Sequence, residues 1–170
     1  MSRLIADASA LVSLGVAADS DPSPLTLCLS RYEVTVPRAV IDELREIASY
    51  DDTHGRAASA VLDRAESFTA RSVELDAEFP LDDGENAAVT LANDLDASLF
   101  LCDEFTRLGL IHASLTDTRL VTTPTLLSIL ARTERLSAAD ARLLLDEISD
   151  ARSWGTNSYV QRARSLFEED

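Results

Sequence analysis

Short apolar runs that stop at an acidic residue, separated by stretches of helical spacing, limit most strongly how this 170-residue chain can fold. Leu4-Ile5-Ala6 ends at Asp7, and Ala8 to Val16 then carries helical spacing through Leu11, Val12 and Leu14 before Gly15. Leu25 to Ser30 reads as a helix, and Tyr32 to Val36 alternates with β-branched residues up to Pro37, which suits the first turn of a helix reaching about Ser49. Asp51 to Gly55 reads as a loop, Arg56 to Ser67 as a helix and Ala70 to Leu75 as a third strand. Leu81 to Gly84 leads into a helix ending near Asp94, followed by a strand over Ala97 to Cys102 and a short helix over Phe105 to Ala113. Leu120-Val121 makes a last strand. Helices then start near Thr125, Ala138 and Asn157, with a break at Ser153-Trp154-Gly155. Strands alternating with helices predict right-handed crossovers and a parallel sheet covered on both faces, an α/β architecture. At 46% hydrophobic, and with no repeat or linker, residues 1–170 read as one domain.

The charge balance narrows the chemistry. Thirty acidic residues face 15 basic ones, and every basic residue is arginine. An acid excess without lysine matches the surface of a halophile protein, in which hydrated carboxylates maintain solubility and salt screens self-repulsion. A net charge of -15 opposes a polyanionic partner at low salt, but at ~1 M salt the Debye length is only ~3 Å and the objection weakens. The absence of lysine excludes phosphate-binding loops that end in Lys-Ser or Lys-Thr. It also argues against haloacid-dehalogenase-like phosphatases and receiver domains, which open on a strand ending in Asp but typically use a lysine. No apolar run approaches the ~20 residues of a membrane span, and the start lacks the basic head and apolar stretch of a signal peptide, so a cytoplasmic protein with no membrane partner is expected. Cys28 and Cys102, set among leucines, read as buried free thiols.

Four carboxylates stand apart from this acidic background. Asp7 and Asp103 follow strands directly, at the ends where open α/β sheets bind ligands, although each could equally cap the helix that follows. Glu43 shares a helical stripe with Val40 and Ile47, whereas Asp42 lines up with Arg38, Arg45 and Glu46 toward solvent. An inward Glu43 needs a partner, either an arginine or a metal ion. Glu85 has Ala88, Val89 and Ala92 below it; the alternative is a favourable charge at a helix N-terminus. Asp82 and Asp83 read as turn and cap residues. Hard divalent cations take oxygen ligands, and paired metals serve phosphodiester cleavage, so four gathered carboxylates suit that chemistry. His54 and His112 lack a partner at ligand spacing, and Ser9 lacks a nearby histidine to activate it.

LIADASALVSL, from Leu4 to Leu14, resembles the opening strand-turn of PIN-domain proteins, and VTVPRAVIDEL resembles their second segment. LDDGENAAVTLANDLDASLFLCDE is similar to the Gly-Glu-x-x-Ala helix, strand and acidic pair of a PIN-like subfamily of predicted nucleic-acid-binding proteins. LVTTPTLLSIL and the tail from about Leu143 to Glu168 extend the likeness over nearly the whole chain. The resemblance implies a PIN-like three-layer α/β/α fold with additional C-terminal helices. It further implies a Mg2+- or Mn2+-dependent endoribonuclease whose metal is held by Asp7, Glu43, Glu85 and Asp103, with Glu104 assisting and Ser9 supporting Asp7. RNA is the implied substrate. Two features depart from the family: Thr122-Thr123-Pro124-Thr125 replaces an expected Gly-Thr-x-Gly turn, and Arg107 alone remains of the basic residues after the acidic pair. The narrower expectation is the toxin of a toxin–antitoxin pair with a small antitoxin partner; the alternatives are a catalytically weak nucleic-acid-binding or protein-interaction module. Leu143-Leu144-Leu145 with Ile148 reads as core or as a dimer face, and a homodimer is expected.

The acidic surface carries a direct test. Between about 2 M and about 0.05 M potassium chloride the thermal midpoint should fall as screening is withdrawn, and a midpoint that stays level or rises rejects the halophile reading.

Overall fold

The structure, a computed structural model, describes residues 1–168. Its centre is a five-stranded parallel sheet formed by β1 (Arg3–Ala6), β2 (Glu33–Pro37), β3 (Thr69–Arg71), β4 (Leu99–Leu101) and β5 (Arg119–Val121), in the order β3-β2-β1-β4-β5. Strand β1 lies in the middle, with Leu4 beside both Val34 and Leu99. The chain builds outward from β1 in one direction to β3 and then returns to add β4 and β5 on the other side. That reversal opens a crevice at the carboxyl ends of the central strands.

Alternation along the strands sorts the core into two faces. Leu4, Ala6, Val34, Val36, Leu99 and Leu101 point to one side, into a core shared by seven helices. These are α1 (Ala8–Val16), α2 (Pro24–Arg31), α3 (Arg38–Ala48), α4 (Thr53–Leu62), α7 (Thr123–Arg132), α8 (Ala138–Arg152) and α9 (Ser158–Glu168). Ile5, Phe100 and Cys102 point to the other side, under α5 (Asp83–Asp94) and α6 (Leu108–Ser114). The chain therefore has the α/β architecture expected of it, with very unequal layers.

The element boundaries shift for identifiable reasons. Strand β3 stops at Arg71 rather than Leu75, because its only neighbour ends there: the last rung pairs it with Pro37, which lacks an N–H and passes straight into α3. Helix α4 starts at Thr53, inside the expected loop, because the Asp52 side chain accepts from the Gly55 N–H at 2.7 Å and caps it. It ends at Leu62, and only a single 3-10 turn, Ala65–Ser67, covers the remainder of the expected helix. Helix α6 begins at Leu108 after a turn through Phe105, and Thr122 caps α7 two residues earlier than its expected start. Cys28 and Cys102 are both buried and free. On α8, Leu144, Leu145 and Ile148 are buried while Leu143 is 68% exposed. No helix among the described residues is long and apolar enough to cross a membrane.

Gly15 lies within α1 rather than ending it. A β-carbon there would run into the Ala57 carbonyl of α4, so this glycine permits the close approach of the two helices. The obstacle is backbone and cannot rotate aside. Gly15→Leu should therefore cost about 1–3 kcal/mol, the usual range for overpacking, read as a lower denaturant midpoint; an unchanged midpoint would mean that the helices do not pack so closely.

Candidate metal centre

The crevice at the ends of β1 and β4 collects carboxylates from four separate stretches of chain. Asp7 leaves β1 in an extended conformation and becomes the N-cap of α1. Its Oδ1 accepts from the Ala8 N–H at 2.8 Å, and its Oδ2 accepts from the Ser9 hydroxyl at 3.1 Å and the Cys102 thiol at 3.4 Å. Asp7 thus caps α1 and also lines the crevice. Burial pushes the Asp7 carboxyl up to about 6, although these three hydrogen bonds pull the other way.

Ser9 also joins Asp7 to the end of β4, because its oxygen accepts from the Asp103 N–H at 3.1 Å. The Asp103 side chain turns inward. It accepts from the Thr123 N–H at 2.7 Å and from the Thr123 hydroxyl at 2.5 Å, anchoring the first turn of α7. Burial raises its pKa while the Thr123 bonds oppose the rise. The Thr122-Thr123 pair thus supplies both a cap for α7 and a clamp for Asp103.

Glu43 occupies the inner edge of α3 and Asp42 its exposed face, within reach of Arg45 at 3.5 Å, as the helical stripes require. The Glu43 carboxylate lies against Gly84 in the first turn of α5, in the space that a β-carbon would fill. Among the described residues no hydrogen bond or ion pair holds it. Burial, followed by the negative charges of Asp7, Asp82, Glu104 and Glu85, pushes it up to about 7.

Glu85 has protein partners instead. Both of its oxygens accept from the Arg107 Nε at 2.8 Å, and it closes a reciprocal capping box with Asp82 at the start of α5. Glu104, next along from Asp103, is half-buried, and its charge bears on Asp7, Glu43, Arg107 and Arg152. It forms no ion pair among the described residues. Of the four carboxylates singled out in the sequence, Asp7 and Glu43 face one another's field, whereas Glu85 and Asp103 are engaged by Arg107 and Thr123. Glu104 completes the open group.

Three partnerships carried no local signal in the sequence, although Thr123 and Arg107 themselves stand out in it as departures from the family pattern. Thr123 lies 20 residues beyond Asp103, Arg107 lies 22 beyond Glu85, and Arg152 reaches the Ser9 carbonyl from 143 residues away. Cys102 could have been suspected, since it directly precedes the acidic pair. Among the described residues, no three His, Cys, Asp or Glu side chains already stand close enough together to hold one metal ion. Asp7, Glu43 and Glu104 nevertheless offer carboxylate oxygens, the type of donor that hard cations take.

No curated protein and no solved structure matches the chain. A family model, DUF3368, described as a PIN domain, matches residues 3–169. PIN domains are usually nucleases and generally use divalent metals. Since the match takes in the whole sheet and all the described helices, the chain belongs to the PIN-domain family.

Proposed function

We propose that the protein is a Mg2+- or Mn2+-dependent endoribonuclease that hydrolyses RNA phosphodiester bonds. The observation that carries this reading is Glu43, a half-buried carboxylate without a partner among the described residues, sharing a crevice with Asp7 and Glu104. Carboxylates held together out of water repel one another and favour protonation unless a cation joins them. Asp7, Glu43 and Glu104 would hold the ion, which when bound supplies an activated water and charge stabilisation at the phosphate.

The chain's own residues divide the remaining work. Ser9, Cys102 and the Ala8 N–H fix the orientation of Asp7. Asp103 holds the start of α7 and, through its own N–H, the Ser9 oxygen, so it positions Asp7 at one remove. Glu85 fixes Arg107 at the rim, where the guanidinium can meet a phosphate oxygen. Gly84 leaves room for the Glu43 carboxylate. Within this reading the enzyme is the toxin of a toxin–antitoxin pair, with a small antitoxin as partner; the likeness of its motifs to PIN proteins of that type supports it. A homodimer would cover the exposed Leu143.

In ~2 M salt, manganese or magnesium should promote cleavage of single-stranded RNA and raise the unfolding temperature, as a ligand that prefers the folded state must. Asp7→Asn and Glu43→Gln should each reduce cleavage by about 100-fold or more, at or beyond the upper end of the loss typical of residues that only support a ligand. Asp42→Asn should change neither property. Gly84→Ala should displace only the Glu43 carboxylate, weakening the metal response while barely moving the metal-free midpoint. Cleavage that survives Glu43→Gln, or is absent for all RNAs with either metal, would reject the reading and favour a non-catalytic binding module.

The pH dependence has a definite sign. Carboxyls raised to about 6 and about 7 in the folded state contribute stability that is fully present below their ordinary pKa near 4 and is lost as pH rises through 6 to 7. In chelator, the midpoint should therefore rise from about pH 8 to about pH 5.5, and less so in Glu43→Gln. The stabilisation by manganese should show the opposite trend, larger at about pH 8, because the ion displaces those protons. A manganese effect independent of pH would place the metal elsewhere.

A further inference from the structure

A chain of net charge -15 without lysine has to grip RNA by other means than a broad basic surface. Arg152, the last residue of α8, stands beside Asp103 and Glu104, yet forms no ion pair among the described residues. Its Nη2 donates one long bond, 3.4 Å, to the Ser9 carbonyl, and its Nε is cut off from solvent with no partner among the described residues. A guanidinium has five N–H donors, and this partly buried one spends a single donor on the protein at the edge of the carboxylate crevice, among the described residues. An anion with several oxygens is what such a fork binds best.

The residue after Glu104 is Phe105. Its ring meets Trp154 edge-on at 5.2 Å and lies nearly parallel to Tyr159 at 5.5 Å, with 23° between the planes. The chain has only one Trp, three Tyr and five Phe, so a third of its aromatic rings gather at this spot. Phe105 packs on the core under α5 and α6, while Tyr159 is 38% exposed. Tyr159 also walls a cavity of about 330 Å³ together with Leu108, His112, Thr122 and Thr125. The order acid, acid, aromatic at residues 103–105 thus faces Arg152, Trp154 and Tyr159 from the end of α8 and the start of α9.

We propose that Arg152, Phe105, Trp154 and Tyr159 form a subsite for one nucleotide of single-stranded RNA beside the scissile phosphate, the guanidinium taking a phosphate and the rings taking the base. The identity of the strand as substrate rests on the nuclease reading, but binding at the subsite requires no metal. Stacking on an aromatic face works for every base and, unlike phosphate neutralisation, does not depend on releasing counterions. It therefore suits an acidic chain adapted to concentrated salt. Bases inside a duplex are already stacked and cannot reach such a platform.

Trp154 is the only tryptophan and reports on the subsite directly. The intact protein, in chelator and ~2 M potassium chloride, is titrated with a fully 2′-O-methylated, uncleavable single-stranded oligonucleotide while tryptophan emission is read. The strand should quench Trp154, whereas the same sequence as a duplex, or an abasic strand, should not. Tyr159→Leu should weaken binding about tenfold at every salt concentration, as loss of one stacking face does. Arg152→Gln should weaken it about tenfold at low salt and less as salt rises, with Arg152→Lys recovering only part. Tyr159 is partly exposed, so its variant should fold even if an Arg152 variant does not. Equal quenching by duplex or abasic strand, or wild-type affinity in Tyr159→Leu, would overturn the subsite. Quenching without manganese-dependent cleavage would reject the nuclease reading and leave the subsite standing; cleavage with unaltered binding in the variants would do the reverse.

Discussion

The Asp7 N–H donates to the Leu101 carbonyl at 2.9 Å, continuing the ladder between β1 and β4 by one rung beyond the strands proper. Everything in the crevice depends on that register. It brings the residues after two strands, 95 positions apart at Asp7 and Cys102, within side-chain contact, and lets one serine hydroxyl serve both. A slip by one residue would turn Leu4, Ala6, Leu99 and Leu101 out of the seven-helix core and exchange them for Ile5 and Phe100. The two faces differ so much in what covers them that the exchange is prohibitive, and the buried sheet thereby holds the carboxylates in place.

Around this frame the protein treats neighbouring carboxylates in different ways. Asp103 is satisfied by hydrogen bonds from the first turn of α7, and Glu85 by a guanidinium and a capping box. Asp7 is partly satisfied, by one amide, one hydroxyl and one thiol. Glu43 has no such partner among the described residues and accumulates the repulsion of its neighbours. A structural role would favour satisfying every member of the group, so the gradient from fully bonded to unbonded marks where the acidic charge is directed outward.

Much of this was legible in the sequence. The strand ends named Asp7 and Asp103, and the spacing of Val40, Glu43 and Ile47 distinguished Glu43 from Asp42, because a helix imposes its face on any residue within it. Where the Asp103 and Glu104 carboxylates point could not be read the same way. Strand β4 stops at Leu101, so the directions of the two carboxylates are set by the turn that follows and by Thr123 waiting at the next strand end. Arg152 and the pairing of Arg107 with Glu85 were equally hidden, since an ion pair or a buried guanidinium leaves no periodic trace and depends on where distant helices finish. The early start of α4 shows a local signal that was present, Asp52 ahead of Gly55, but could also be taken for a turn.

The short outer strands bear on how this protein can meet other chains. Strands β3 and β5 are each three residues long, and each carries an exposed arginine, Arg71 and Arg119. Such edges offer few free amides and place charge where an added strand would have to lie, so the sheet resists extension by a neighbour. Any contact with another chain is thereby left to the helical exterior, and concentrating the protein should not convert this fold into a continuous β-ribbon.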